Sequence, residues 1–407
     1  MSRIVLGVAG GIAAYKACEV LRRFSESGHE VTVVPTPNAL EFVGETTWAA
    51  LSGRPVATSV FENITDVPHV RIGQQADLVV VAPATADLLA RAATGRADDL
   101  LTNVLLTAHC SVLMVPAMHT EMWLHPATQA NVATLRERGV LVMDPAAGRL
   151  TGADTGPGRL PEPFDIVAVA ASVLDDPATA DAVRARDLGG TRVVVSAGGT
   201  HEALDPVRFL GNASSGLQGI ALARAAALRG ARVTLVAANV SQPLPSGCTV
   251  VPVRSTGDLA EAMLALQPDA DAIVMAAAPA DFTPVNPADG KIKKDGSGGL
   301  VLELEQTTDV LATLSGGRPR EQVIVGFAAE TAADEADLLR LGREKLERKG
   351  CDLLVLNNVS GGAVFGAPDN TVTIIDAEGV VGAASGDKSA IAHRIWDAVV
   401  ASTKEKK

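Results

Sequence analysis

The stretch from Ser196 to Gly219, SAGGTHEALDPVRFLGNASSGLQG, gathers residues suited to holding and activating an anion. It follows the apolar run Val193-Val194-Val195 and precedes the Ala/Leu-rich residues 220–228. A strand, a polar loop and a helix in that order set the helix's free N–H groups at the mouth of a sheet, where negative charge is stabilised. Gly198, Gly199 and the run Ala213-Ser214-Ser215-Gly216 let backbone approach a ligand closely, and Thr200, Asp205, Arg208 and Asn212 offer polar side chains to a substrate. No G-x-G-x-x-G fingerprint and no Gly-Lys-Ser/Thr phosphate loop is found there, which argues against an ordinary NAD-binding or P-loop protein.

The first half offers a different set. Gly10-Gly11-Ile12-Ala13, Thr36 and Pro83-Ala84-Thr85-Ala86-Asp87 each follow a predicted strand, the place where open sheets receive ligands, and their small or hydroxylic residues suit a phosphate and a flat ring. His69 and His119 stand in polar segments nearby. In the second half Lys291, Lys293 and Lys294 cluster between Gly290 and the glycines of residues 296–299, after a strand-end turn at residues 276–281. Positive charge placed there could lean over a triphosphate and stabilise a departing pyrophosphate. Lys345 and Lys349 stand four apart, so they share one helix face.

The elements that must carry these residues alternate. Strands are predicted at residues 3–9, 31–34, 78–82, 112–115 and 140–142, with helices between them. Residues 148–163, rich in Gly and Pro, read as a flap rather than an element, residues 164–174 as a helix and residues 175–190 as a linker. The rhythm restarts with strands at 192–195, 231–237, 271–277, 322–328 and 352–357, a hairpin at 371–381 and a helix at 388–400. Strands separated by helices imply parallel sheets. The expectation is therefore α/β, with two doubly wound, mainly parallel-sheet (Rossmann-like) domains at 1–174 and 191–407.

Composition agrees. A chain of 407 residues with 47% hydrophobic but 3% aromatic residues builds its cores from Ala, Val and Leu. A net charge of −12 argues against a general nucleic-acid or anionic-membrane surface, so phosphate sites must be local. Cys18, Cys110, Cys248 and Cys351 stand far apart, giving neither a disulfide framework nor a zinc knuckle. Residues 100–120 and 233–253 lack charged side chains, but their Asn, His and Pro residues read as buried elements joined by loops rather than membrane spans. With no signal peptide at the start, a cytoplasmic enzyme is expected.

These motifs carry a resemblance. The first half resembles the flavin-dependent cysteine decarboxylases, and nearly the whole chain resembles the bacterial bifunctional phosphopantothenoylcysteine decarboxylase / phosphopantothenate–cysteine ligases of coenzyme A synthesis. It rests on AGGIAAYK, DVPHVRIGQQAD, APATADLLARAATGRADDLLT, PAMHTEMW, GPGRL, SAGGTHEALDPVRFLGNASSG, APADFTP, GKIKK, GFAAET and DLLVLNNVS, in that order.

The resemblance implies FMN across Gly10, Gly11, Ile12, Ala13, Thr36, Pro83, Ala84, Thr85 and Ala86, oxidising the substrate thiol and returning a hydride once CO₂ has left. His69 matches the family's catalytic histidine. Two departures stand out: His119 occupies a position that is Asn in many relatives, and Gly152 replaces the flap cysteine that donates a proton. His119 is expected to anchor the substrate carboxylate in place of Asn, and water or Asp154 to supply the proton.

In the second half the resemblance assigns CTP contacts to Asp281, Lys291, Thr308, Asp309, Val310, Leu311, Phe327, Lys345 and Lys349. It also gives Asn212 the acyl intermediate and implies Mg²⁺ travelling with the triphosphate. Arg208 could hold the phosphate of 4′-phosphopantothenate or pair with Asp205. The implied reactions join 4′-phosphopantothenate to L-cysteine through an acyl-cytidylate and then decarboxylate the product, in a homo-oligomer of decarboxylase trimers linked by ligase dimers. One alternative keeps the ligase but makes the first half a weakly active flavoprotein scaffold. Another, a dehydrogenase with two Rossmann domains, is disfavoured by the missing fingerprint.

Overall fold

The computed structural model describes residues 1–59, 67–149, 155–293, 300–319, 321–359 and 369–405. They divide into two compact units, Met1–Arg186 with Pro245–Gly247, and Asp187–Leu244 with Cys248–Lys407.

In the first unit, β1 (Arg3–Val8), β2 (Glu30–Pro35), β3 (Leu78–Ala84), β4 (Ser111–Pro116) and β5 (Leu141–Val142) form one parallel sheet in the order β2-β1-β3-β4-β5. All seven residues of β3 are buried, as a strand covered on both faces requires. Each buried Val or Leu contributes roughly 1.5–3 kcal/mol, so these aliphatic runs decide the sheet. Around it lie α1 (Ala14–Glu26), α2 (Pro37–Leu40), α3 (Glu45–Ser52), α4 (Pro68–Gln75), α5 (Ala86–Thr94), α6 (Leu100–Thr107), α7 (Thr120–Leu124), α8 (Pro126–Glu137) and α9 (Pro163–Asp175).

Two expectations are corrected here. The segment read as a flap forms a two-stranded antiparallel sheet from β6 (Ala146–Arg149) and β7 (Thr155–Arg159), because its glycines can adopt the extended backbone the pairing needs. The segment read as a linker folds over α10 (Pro177–Ala185). The Asp176 side chain caps this helix, and Thr179, Ala180 and Val183 are buried.

The second unit holds an eight-stranded sheet in the order β12-β11-β8-β13-β16-β17-β18-β19. Its strands are β8 (Arg192–Gly198), β11 (Arg232–Ala238), β12 (Cys248–Val253), β13 (Ala272–Met275), β16 (Val323–Glu330), β17 (Leu353–Asn358), β18 (Asp369–Ile375) and β19 (Val380–Asp387). The first six run parallel, and β18 and β19 close the edge as an antiparallel hairpin. Two short pairs stand beside it, β9 (His201–Ala203) with β10 (Phe209–Gly211), and β14 (Phe282–Pro284) with β15 (Leu304–Gln306). One face is covered by α11 (Leu217–Leu228) and α15 (Lys388–Glu405), the other by α12 (Thr256–Leu266), α13 (Val310–Gly316) and α14 (Glu335–Lys349).

The last helix is fastened to the first. Trp396 Nε1 donates to Leu222 O at 2.9 Å. Arg229, 1% exposed, donates to Asp187, to His393 O at 3.0 Å and to Asp397 at 2.8 Å. A guanidinium out of water is tolerable only with its donors so occupied.

In each sheet the strand order reverses direction once, between β1 and β3 in the first and between β8 and β13 in the second. Loops leaving the carboxyl ends of two such strands diverge to opposite faces and leave a crevice, the usual ligand position in open α/β sheets.

Candidate functional site

The first crevice opens after β1 and β3. Gly10, Gly11, Ile12 and Ala13 lead from β1 into α1, and Thr85 and Ala86 lead from β3 into α5. The strand expected to end before Pro83 runs on through Ala84, both buried. A Cβ on Gly10 would lie 2.4 Å from Asn38 Cβ and 2.8 Å from its carbonyl carbon, so only glycine lets the two turns approach. No side chain caps α1. Thr36 and Thr85 cap α2 and α5, their oxygens accepting from Ala39 N at 3.3 Å and Leu88 N at 3.4 Å, which leaves each hydroxyl proton for another partner. Ile12 is 70% exposed beside this crevice.

His69 stands in the first turn of α4 and His119, exposed, at the N-cap of α7 just after β4. Among the described residues, the Nδ1 of His69 and the Oγ1 of Thr120 are buried without a hydrogen-bond partner. Such atoms cost free energy unless something satisfies them, and in a strand-end crevice they point to a bound polar group. A bare helix N-terminus, a glycine cradle, spare hydroxyl protons and two waiting polar atoms fit a phosphate-bearing flavin with a small acid beside it. Asp154 lies outside the described residues.

The second crevice, after β8 and β13, is floored by backbone. Gly198 has φ +88°, and a Cβ there would lie 1.9 Å from Ala238 O. A bridge joins Gly199 to Ala278 across the opening. Asn239, at φ 50°, donates to Gly199 O at 2.9 Å and Arg254 O at 2.8 Å, which offsets the cost of left-handed backbone at a residue other than glycine. Asn212 is exposed, with its amide donating to Pro279 O at 2.8 Å. Two residues beyond Pro279, Asp281 O accepts from Thr307 N at 3.0 Å, bringing Asp281 beside the turn of Thr308, Asp309, Val310 and Leu311. Asp309 caps α13 through Ala312 N at 3.1 Å and also pairs with Lys349. Lys345 pairs with Glu330, at the end of β16, at 2.8 Å. Phe327 lies half-buried on the same strand, against the α11/α15 side of the core.

Lys291 and Lys293 are exposed, and Lys294 lies outside the described residues. Between the first two, the Ile292 peptide is held at both ends: its N–H donates to Asp205 Oδ2 at 3.1 Å and its carbonyl accepts from Arg208. Arg208 also pairs with Asp205 at 2.7 Å, the second of the two expectations for it. Burial pushes the Asp205 pKa upward, but the N–H groups of Val207, Arg208 and Ile292 and the Arg208 guanidinium outweigh it and hold the pKa at about 2.

Thr200, read from the sequence as facing a substrate, is fully buried and its hydroxyl is bonded internally. Sequence reasoning also passed over Glu330, Asn239 and Thr256. Glu330 lies inside the quoted GFAAET and carried a signal, whereas Asn239 and Thr256 had none in their spacing. Among the described residues no group of three His, Cys, Asp or Glu is placed to hold a metal ion, and no helix is long and apolar enough to cross a membrane.

Comparison with known proteins matches both units. Residues 1–175 match the family described as Flavoprotein, and residues 188–403 the DNA/pantothenate metabolism flavoprotein C-terminal domain. The chain is 55% identical over 406 residues to the coenzyme A biosynthesis bifunctional protein CoaBC of Mycolicibacterium smegmatis, covering 98% of this chain and 97% of that one. It is 42% identical over 380 residues to the protein of the same name from Bacillus subtilis, covering 92% and 91%. Among solved structures, the C-terminal domain of a coenzyme A biosynthesis bifunctional protein CoaBC is similar at 30% identity, covering 54% of this chain and 99% of that one with a TM-score of 0.45. A PPC decarboxylase mutant complexed with pantothenoylaminoethenethiol is similar at 28% identity, covering 43% and 99% with a TM-score of 0.40.

Proposed function

We propose, from the premise that this chain belongs to the family of coenzyme A biosynthesis bifunctional proteins, an assignment of each chemical step to the two crevices described. The chain is a bifunctional enzyme of coenzyme A biosynthesis, with a flavoprotein decarboxylase half and a ligase half.

The ligase half joins 4′-phosphopantothenate to L-cysteine at the expense of CTP. A carboxylate oxygen of phosphopantothenate attacks the α-phosphorus of CTP, pyrophosphate leaves, and the cysteine amine then displaces CMP from the acyl carbon, losing a proton. Lys291 meets the charge that builds on the departing pyrophosphate, and Mg²⁺ arrives with the triphosphate. Asp281, the turn of Thr308 to Leu311, Phe327, Lys345 and Lys349 hold the nucleotide. Asn212 donates its amide to the oxygen that gains charge when the acyl intermediate is attacked, without adding charge of its own. Arg208 offers the exposed part of its guanidinium to the phosphate of phosphopantothenate.

The decarboxylase half then removes CO₂ from the cysteine moiety. FMN, which Gly10 to Ala13, Thr36 and Pro83 to Ala86 would hold, supplies a two-electron sink that takes electrons from the substrate thiol and gives them back. His69 takes or holds a substrate proton. His119 anchors the substrate carboxylate, and water or Asp154 returns the proton for which relatives use cysteine.

What supports the reading is that residues 10–13 and 83–86 in the first unit, and 198–199 and 278–281 in the second, lie at the ends of the two strands between which each sheet's order reverses. Phe282 (45% exposed), Val301 (95%) and Leu304 (39%) form an apolar stretch on and beside the β14–β15 arm that suits a dimer of ligase halves, with trimers of the other half in a cytoplasmic homo-oligomer. A coupled assay with phosphopantothenate, cysteine and CTP, following pyrophosphate and CO₂ together, tests the whole. Both products are expected. Pyrophosphate without CO₂ would favour a ligase carried on a scaffold flavoprotein, and neither product would refute the reading.

A further inference from the structure

One residue in the second crevice, Ala280, is gripped at both its N–H and its carbonyl by threonine hydroxyls. The N–H of Ala280 donates to Thr200 Oγ1 at 2.8 Å. Thr200 and Thr256 share a hydrogen bond of 2.9 Å between their hydroxyls, and Thr256 Oγ1 donates to Ala280 O at 3.3 Å. A hydroxyl has one proton, so Thr256, which gives its own to the carbonyl, must receive that of Thr200. The ring therefore has one direction, from Ala280 N–H through Thr200 and Thr256 back to Ala280 C=O. Donors aligned in sequence in this way polarise and strengthen one another.

The ring is sealed from water. Thr200 is 0%, Thr256 1% and Ala280 3% exposed. Two further bonds fasten it to its surroundings: Thr307 Oγ1 donates to Ala280 O at 2.6 Å, and the buried Glu202 accepts the Thr256 N–H at 2.8 Å. It thus ties the ends of β8 and β13 to the start of α12. On either side of the held peptide stand two residues that face the opening: Pro279, whose carbonyl accepts from Asn212, and Asp281.

We infer that Thr200 and Thr256 are positioning residues of the ligase reaction, fixing the Pro279–Asp281 turn so that Asn212 and Asp281 are set for the acyl intermediate and the nucleotide together. Neither touches a substrate. The inference rests on the ligase reading given above.

Thr200→Val and Thr256→Val keep the shape and remove the hydroxyls, and Thr200→Ser and Thr256→Ser restore them. In the full chain loaded with FMN, each Val variant is expected to raise the KM for CTP and lower the ligase kcat, cutting kcat/KM by roughly 10²-fold, since small misplacements cost that much. Each Ser variant should come back to within about threefold of wild type. CO₂ release from supplied phosphopantothenoylcysteine, a reaction of the other unit, should stay at wild-type rate, and an unchanged melting transition and near-ultraviolet circular dichroism of the full chain serve as the control for folding of the ligase unit. Hydrogen exchange at the Ala280 amide, which needs no substrate, should quicken in the Val variants alone. Wild-type ligase constants with unchanged exchange in both Val variants would overturn the inference, as would Ser variants as impaired as the Val ones. A wild-type chain that released no pyrophosphate with CTP would instead refute the ligase reading itself.

Discussion

The two crevices lie at equivalent places in two open sheets yet differ in how far they satisfy themselves. In the second, four of the polar residues proposed to meet a ligand have internal partners: Arg208 holds Asp205, Lys345 holds Glu330, Lys349 holds Asp309 and Asn212 holds Pro279 O. In the first, among the described residues, His69 Nδ1 and Thr120 Oγ1 are buried without partners and no side chain caps the start of α1. A crevice meant for a permanently held cofactor can leave its polar atoms to that cofactor. One that must admit and release a polyanion in each turnover can keep its less exposed lysines, Lys345 and Lys349, compensated between cycles. The charged partners are then exchanged for phosphate, with little net change in desolvation.

Breaking the second crevice should have the largest effect. Lys291→Gln is expected to lower pyrophosphate release by about 10²–10³-fold, the loss typical of one preorganised stabilising group. Asn212→Asp should instead let the acyl-cytidylate build up, visible by rapid quench. Unchanged pyrophosphate release in the lysine variant would remove it from the chemistry.

In the first crevice, His69→Asn should cost about 10²-fold in CO₂ release, within the range of general acid–base catalysis, while the protein stays yellow and pyrophosphate release is untouched. His119→Ala should cost less, through a raised KM. If CO₂ release is unchanged by His119→Ala, it does not anchor the carboxylate.

A third test uses pH. The depressed pKa of Asp205, about 2, means that its native bonds stabilise the fold fully above the unfolded carboxylate value and are lost as pH falls through about 2. Melting temperatures of wild type and Asp205→Asn should therefore differ most near neutrality and converge as the pH is lowered from about 5. A constant gap would show that its charge is not what holds Ile292.

The smallest effect sharpens the contrast most. Asp309→Asn keeps an N-cap for α13 but removes the partner of Lys349. With the competing carboxylate gone, the KM for CTP should fall by up to about fivefold at low salt, the range of an ion pair this exposed, and less at high salt. A KM that rose would mean that Asp309 places Lys349 rather than competing for it.

Much of this was legible in the sequence. Runs such as Val193-Val194-Val195 and Leu78-Val79-Val80-Val81 mark strands without ambiguity, and the Gly and Thr residues just beyond them mark the crevices. What escaped depends on burial and pairing, which residue type does not reveal. Thr200 reads as a loop hydroxyl and proves to be sealed inside. Lys345 and Lys349 show their helical spacing, but Glu330 and Asp309 come from other elements far along the chain. The β6–β7 pair was hidden because Gly and Pro carry little strand preference. Helix α10 was hidden because its inward face is made of small residues such as Ala180.

Arg229 sets a limit on trimming the polypeptide. Its guanidinium depends on Asp397 and on the carbonyl of His393, both within the final helix, as well as on Asp187 at the start of the unit. Ending translation ahead of Asp397 would leave the buried guanidinium with Asp187 as its one remaining carboxylate partner among those named and weaken the ligase portion. Stopping after Lys404 would leave every one of those contacts in place, so an affinity handle can be joined there without disturbing them.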